Sequence, residues 1–223
     1  WLIGRLRRGD YWETAEAHVR EFIAGMRLKH HFWLGIRGYA GAMVWLAAPT
    51  ALLAVLKQTD QGGQVVLTLL GGVQLMIVFA WVPFLQARFA TENRWRAMFE
   101  LGAIRELFCR SPFFWLTAVV LIYTLALPMY LFKIASPPRD AMWGLTLVFI
   151  ASIYPARVLT GWAYHRAAVR TRRAWFGWRW ICRTAMLPLL FMYVLLLFFT
   201  QTFGEHGKLV LFEHHAFLLP SPF

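Results

Sequence analysis

The chain has 223 residues, of which 59% are hydrophobic and only 15% are charged. Soluble domains contain roughly 45–50% apolar and about 25% charged residues, so this composition excludes an ordinary soluble domain and favours a bundle of membrane helices. The net charge of +12 would suggest nucleic acid in a soluble protein, but here the Lys and Arg residues cluster between apolar runs, where they meet anionic lipid. We therefore expect membrane lipids, anionic ones in particular, and no nucleic acid as partners.

The first element in the chain is an amphipathic helix that precedes every long apolar run. Between residues 12 and 26, apolar side chains recur at helical spacing while charged side chains occupy another face. The apolar stripe consists of Trp12, Ala15, Val19, Phe22, Ile23 and Met26. We predict that the segment 1–36 is cytoplasmic and that this helix lies in the plane of the membrane interface.

Five apolar stretches follow, each about 20 residues long, which is the length that a helix needs to cross the hydrocarbon core. They are predicted at 38–56, 65–87, 113–135, 141–164 and 184–203. Ser111 with Pro112 would cap the third span, and Asp140 would cap the fourth. The predicted fold is thus an all-α polytopic membrane bundle that forms a single domain over 1–223.

The Lys and Arg residues give the orientation of these spans. Eighteen of the 23 lie before the first predicted span, between the second and third, or between the fourth and fifth. The alternate side holds only Lys57, Lys133, Arg139 and Lys208. Because cytoplasmic loops carry the excess of cations, we predict a multi-pass inner-membrane protein with a cytoplasmic amino terminus and an external carboxyl-terminal tail, 204–223.

Two cytoplasmic segments differ from plain loops. The segment 91–108 is predicted to be helical, with Trp95, Met98 and Phe99 on one side. The segment 165–183 interleaves aromatic rings with arginines, a pattern typical of an anchor in the headgroup zone.

Arg157 lies well inside the fourth predicted span, about two turns from its cytoplasmic end. A mid-span Arg costs roughly 2.5–3.5 kcal/mol on insertion scales, so its presence needs a reason. One reason would be contact with an anionic lipid headgroup or substrate, beside the helix-loosening Pro155. The other, simpler reason is that the long side chain reaches along the helix to the interface. The sequence leaves both open.

Weaker signals accompany Arg157. Thr68, Gln74, Thr117 and Thr124 are predicted to form hydrogen bonds between helices. Prolines at 49, 83, 128, 155 and 188 fall inside predicted spans, as they often do in transporters and in inert bundles alike. A cytoplasmic helix, a Phe-Trp-Leu motif and two proline-containing spans occur twice in the same direction, which indicates a weak parallel repeat.

No catalytic residue, metal site or cofactor is predicted. The orientation separates the histidines into a cytoplasmic group (His18, His30, His31, His165) and an external group (His206, His214, His215), which cannot share one site. The external group, with Glu205 and Glu213, matches no metalloenzyme spacing and is explained by a tail at the membrane surface. Cys109 and Cys182 are expected to be free cytoplasmic thiols.

Three runs of sequence carry a resemblance: RFATENRWRAMFE at 88–100, IYPARVLTGWAY at 153–164 and EHHAFLLPSPF at 213–223. With them the chain resembles an uncharacterised, planctomycete-type bacterial family of multi-span membrane proteins, a domain of unknown function. The resemblance extends from about Trp12 onward. It implies an inner-membrane protein and transfers no catalytic residue.

Three functions therefore stay open at the level of sequence. The favoured one is a non-catalytic scaffold, assembly or lipid-interacting module with possible membrane-protein partners. The alternative is a transporter or channel-like protein for a small solute or lipid, which the prolines and Arg157 would suit. A membrane enzyme that uses the external histidines is the least supported of the three, and we expect no enzyme.

Overall fold

The structure is a computed structural model that describes residues 11–54, 61–134 and 142–203. These residues form helices joined by short connections, and no strand occurs among them. We number the α-helices in chain order; a short 3₁₀ helix, Trp95–Phe99, lies between the third and the fourth. They are α1 (Tyr11–Gly25), α2 (Leu28–Ala54), α3 (Gln61–Glu92), α4 (Leu101–Arg110), α5 (Pro112–Ile134), α6 (Met142–Val169) and α7 (Phe176–Phe203).

The chain divides into two compact units, Trp1–Arg37 and Gly38–Phe223. The first unit contains α1, which confirms the predicted amphipathic helix. Its apolar stripe is exposed at Trp12, Val19, Phe22 and Ile23. The helix ends where Arg27 adopts a positive φ of 45°, which breaks the continuity with α2. That the stripe lies in the membrane interface stays a prediction.

Three helices of the second unit are long and apolar enough to cross a membrane: Val66–Glu92, Thr146–Val169 and Phe176–Leu196. They match the second, fourth and fifth predicted spans. A fourth is added if Leu101–Arg110 and Pro112–Pro128, which meet at 107°, count as one broken span. The predicted first span, 38–56, falls on α2, which ends at Ala54. Within the described residues, α2 is not among the helices long and apolar enough to cross a membrane. Three to four candidate spans are therefore shown.

Helix α3 is the centre of the second unit, since it packs against α4, α6, α7 and the 3₁₀ helix, while α5 packs against α6 and α7. The largest side chains in the interior are aromatic. Phe84 and Trp115 stack with ring centroids 3.5 Å apart, and Phe79, Tyr123 and Tyr193 form a second cluster. Large apolar residues also cover the outer surface of the bundle, as expected of helices that face lipid.

The predicted connection between the fourth and fifth spans is shorter in the structure because both flanking helices continue beyond the apolar runs. Helix α6 ends at Val169 rather than at Tyr164, and α7 begins at Phe176 rather than at Thr184. The predicted anchor, 165–183, is thus two helix ends joined by residues 170–175. Hydropathy falls at the headgroup zone, whereas backbone hydrogen bonding continues into it, so apolar length underestimates helix length.

The predicted helical segment 91–108 is largely helical in the structure, but it is divided among three elements. Helix α3 ends at Glu92, Asn93 adopts a positive φ of 51°, and the 3₁₀ helix and α4 follow separately. The capping prediction at Ser111 was wrong, because its buried hydroxyl has no hydrogen-bond partner among the described residues, although Pro112 does open α5. The predicted cap Asp140 and the tail 204–223 lie outside the described residues.

Candidate functional site

Arg157 on α6 is joined to α3 and α2 through a chain of hydrogen bonds. Its Nη1 donates to Oε1 of Gln86 at 2.5 Å, and Nε2 of Gln86 donates to the carbonyl oxygen of Gly38 at 3.2 Å. Gln86 is buried, so its amide is fixed between the two partners. We call this arrangement, Arg157, Gln86 and the Gly38 carbonyl, the polar relay. It shows that Arg157 does more than extend along its own helix.

The relay exists because α3 and α6 run side by side in the same direction. Further along both helices, the hydroxyl groups of Thr91 and Tyr164 lie 3.5 Å apart. Arg157 follows Gln86 by 71 positions in the sequence, and Tyr164 follows Thr91 by 73. Because these two separations are nearly equal, α3 and α6 run in the same direction. The register of α3 against α6 therefore places the guanidinium of Arg157 opposite the amide of Gln86.

The charge of Arg157 has no counter-charge within the described part of the chain. No described carboxylate lies within 4.0 Å of the guanidinium, and its hydrogen-bond partner is a neutral amide. Arg157 is exposed at the surface of the bundle. A cation with an accessible face and no internal anion is a natural binding position for an external anion.

Arg157 also lies deeper from the helix end than the sequence indicated. Helix α6 continues for twelve residues after it, to Val169, which at about 1.5 Å per residue is roughly 18 Å. The prediction of two turns rested on an assumed end at Tyr164. Because α6 continues into the headgroup zone beyond the apolar run, its end at Val169 does not mark the interface, and extension of the Arg157 side chain to the interface stays a prediction beside the relay.

A second polar cluster lies where α3 ends, and its charges are internally balanced. Arg88 donates to Glu100 at 2.6 Å and pairs with Glu92 at 2.8 Å, and Arg94 bonds to Glu92 as well. The hydrogen bond to Glu92 raises the pKa of Arg94 above its usual value. These four residues fasten the 3₁₀ helix to α3, and the pairing leaves little attraction for an outside anion.

The same region anchors α2. Nε1 of Trp45 donates to the carbonyl oxygen of Met98 at 2.9 Å, and the Trp45 ring stacks on Phe99. Gly41 allows this approach, because a Cβ atom there would stand 2.5 Å from Cε of the fully buried Met98. The position of Gly38, which accepts the last hydrogen bond of the relay, is thus held by packing three residues further along α2.

Among the described residues, three of the other predicted hydrogen bonds between helices, those of Gln74, Thr117 and Thr124, are not formed. Thr117 and Thr124 donate to carbonyl oxygens four residues earlier in α5, so they serve their own helix rather than a neighbour. Oε1 of Gln74 is buried without a partner in the described residues. Gln86, in contrast, was not predicted from the sequence. The weak repeat could have indicated it: Pro83 and Pro155 are 72 positions apart, and the same offset places Gln86 beside Arg157 when the two copies are aligned.

The described residues contain no group of three or more His, Cys, Asp or Glu side chains that could hold a metal ion. The external histidines of the tail lie outside the described residues. Cys109 and Cys182 are free thiols, as predicted.

Comparison with known proteins gave no match: no protein-family model, no curated protein and no solved structure matches the chain. The resemblance to planctomycete-type membrane proteins therefore stays a prediction.

Proposed function

We propose that the chain is a non-catalytic, lipid-interacting module of the bacterial inner membrane, with Arg157 as a contact for an anionic headgroup. In this proposal five spans place the amino terminus in the cytoplasm and the carboxyl terminus outside. The clustering of 18 cations on one side supports that orientation. Resemblance to the planctomycete-type family supports the same membrane and adds no activity.

The observation that carries the proposal is the uncompensated charge of Arg157. A guanidinium has five N–H donors, and the relay uses one of them, on Nη1. Gln86 also fixes the plane of the guanidinium by holding that nitrogen. The remaining donors form part of a planar fork, which is the geometry that binds a phosphate or carboxylate through two parallel hydrogen bonds.

The proposal is tested by comparing the lipids that co-purify with the wild type, Arg157→Lys and Arg157→Leu in matched detergent, by native mass spectrometry. Arg157→Lys keeps the charge but loses the fork, so we expect less bound anionic phospholipid. Arg157→Leu should insert normally and lose that lipid altogether. Arg96→Leu, which removes an exposed arginine from the 3₁₀ helix, is the matched control and should retain it. Identical lipid profiles for all four proteins would refute the proposed contact.

The second candidate function is a carrier or channel for a small anion or a lipid. Its support is that each of the five long helices contains a proline, namely Pro49, Pro83, Pro128, Pro155 and Pro188. A proline removes one backbone hydrogen bond, and transporters use such points to place backbone groups and half-helix ends around a substrate. Anion flux into proteoliposomes that is abolished by Arg157→Leu would favour the carrier. Bound lipid without flux would favour the module.

A further inference from the structure

The bend between α6 and α7 carries a concentration of arginine without acidic residues. Six arginines lie between positions 166 and 183, and no Asp or Glu occurs in that interval. None of the six forms a salt bridge within the described residues. The bend itself is fixed to the rest of the bundle, because the N–H of Ala174 donates to the carbonyl oxygen of Cys109 at 2.8 Å.

Two of these arginines converge on one aromatic ring. The guanidinium carbons of Arg166 and Arg170 lie 5.9 Å and 5.1 Å from the centroid of Phe114, which lies in the first turn of α5, the helix packed directly against α6. Phe114 is itself held by an edge contact with Trp162, at 5.0 Å between ring centroids. Both arginines are exposed. We call Arg166, Arg170 and Phe114 the arginine clamp.

The clamp brings two like charges to one ring, and no described carboxylate forms a salt bridge with either of them. The ring face attracts each guanidinium, but it does not neutralise either charge. The carbonyl end of α6 favours cations and explains why they are tolerated there. Neither effect removes the repulsion between the two guanidiniums. One anion between them would form a charge-assisted hydrogen bond with each.

The surroundings of the clamp indicate what kind of anion it meets. Exposed aromatic side chains border it along the bend and the first turns of α7: Trp175 (72% exposed), Phe176, Trp178 and Trp180. Indole rings concentrate at the level of lipid headgroups, where they contact both the acyl region and water. A phosphate at this level belongs to a phospholipid. Charge complementarity and position thus select one occupant.

We propose that the arginine clamp binds the phosphodiester of an anionic phospholipid, such as phosphatidylglycerol, at the cytoplasmic headgroup level. This inference rests on the proposed membrane function, but its site shares no residue with the polar relay. Arg166 and Arg170 take the phosphate oxygens from two sides, and Phe114 keeps the two guanidiniums oriented toward the lipid. The clamp would also fix the bend between α6 and α7 against the membrane surface.

The test is a titration of the purified protein with phosphatidylglycerol, followed by native mass spectrometry. Arg166→Gln with Arg170→Gln should weaken the binding of one lipid molecule about 100-fold, because each substitution removes a charge-assisted hydrogen bond to the phosphate that contributes roughly tenfold in affinity. The control Arg105→Gln with Arg172→Gln removes the same charge from exposed arginines that contact no ring within the described part of the chain, and it should change binding less than about threefold.

Three further measurements identify the occupant and the geometry. Phosphatidylcholine carries the same phosphodiester beside a quaternary ammonium that offsets its charge, so the clamp variant should weaken its binding less than it weakens the binding of phosphatidylglycerol. Inorganic phosphate should not displace phosphatidylglycerol from the wild type; displacement would show a site for free phosphate instead of lipid and would overturn the proposal. Arg166→Lys with Arg170→Lys keeps both charges but weakens stacking, and it should give an intermediate affinity.

Equal loss in the clamp variant and in the charge-matched control would also overturn the proposal, because the effect would then be general electrostatics. Arg157→Leu is titrated beside them. If Arg157→Leu binds phosphatidylglycerol normally while the clamp variant does not, the relay contact fails and the clamp stands. If instead the clamp variant binds phosphatidylglycerol normally while Arg157→Leu does not, the clamp is rejected and the contact at Arg157 stands.

Discussion

Replacing Gln86 by Leu tests the polar relay most sharply, because it removes the two hydrogen bonds of the relay with little change in volume. Nη1 of Arg157 would lose its acceptor, and the Gly38 carbonyl would lose a donor. Hydrogen bonds between membrane helices contribute about 0.6 kcal/mol on average and up to about 1.7 kcal/mol, and the bond from a charged guanidinium belongs at the upper end. We expect Gln86→Leu to reduce the free energy of unfolding by about 2 kcal/mol.

Thermal unfolding in a single detergent measures this loss. At roughly 2–4 °C for each kcal/mol in a chain of this size, the melting temperature should fall by about 4–8 °C. Gln74→Leu, on the same helix, is the matched control: Oε1 of Gln74 is buried without a partner in the described residues, so removing it should leave the melting temperature unchanged or raise it. Equal melting temperatures for the two variants would refute the relay.

Gln86→Glu separates the structural role of the relay from its charge. A carboxylate at this position can still accept the hydrogen bond of Arg157 and also neutralises it. We expect the bundle to stay folded while the anionic lipid assigned to Arg157 is lost. Retention of that lipid in a folded Gln86→Glu protein would show that Arg157 is not its contact.

Three other predictions concern packing and the amphipathic helix. Tyr123→Phe removes a 2.7 Å hydrogen bond from α5 to a backbone carbonyl of α3 and should destabilise the bundle by about 1 kcal/mol, measured by thermal unfolding. Gly41→Ala should also destabilise it by about 1 kcal/mol, because crowding against the buried Met98 outweighs the gain in helix propensity; an unchanged melting temperature would show that Met98 moves aside. Replacing Phe22 and Ile23 with Asp should raise the protease accessibility of α1 in bilayers without affecting insertion, and unchanged accessibility would reject the interfacial placement.

Apolar length located the helices well but not their ends. Three predicted spans coincide with long apolar helices because about 20 consecutive apolar residues leave few alternatives to a helix. The ends were missed where charged and aromatic residues continue a helix into the headgroup zone, as in α7, which begins at Phe176. The break after Glu92 was missed because the positive φ of Asn93 leaves only a weak local signal.

The candidate site could be predicted only in part. Arg157 was evident from its charge within an apolar run, because such a charge needs an explanation whatever surrounds it. Gln86 was not, since a glutamine near the end of a span is unremarkable until the neighbouring helix is known. The arginine clamp likewise depends on bringing Phe114 of α5 against the end of α6, a contact that no local pattern in the sequence specifies.

The orientation of the chain is the central claim, because both proposed lipid contacts require a cytoplasmic headgroup zone. It is tested most directly by the labelling of single cysteines with an impermeant thiol reagent. The background is a variant in which Cys109 and Cys182 are replaced by Ala. Cysteines at Asp60 and Ser136 should react in intact cells, and one at Arg172 should react only after lysis. Labelling at Arg172 in intact cells, or protection at both other positions, would contradict the account.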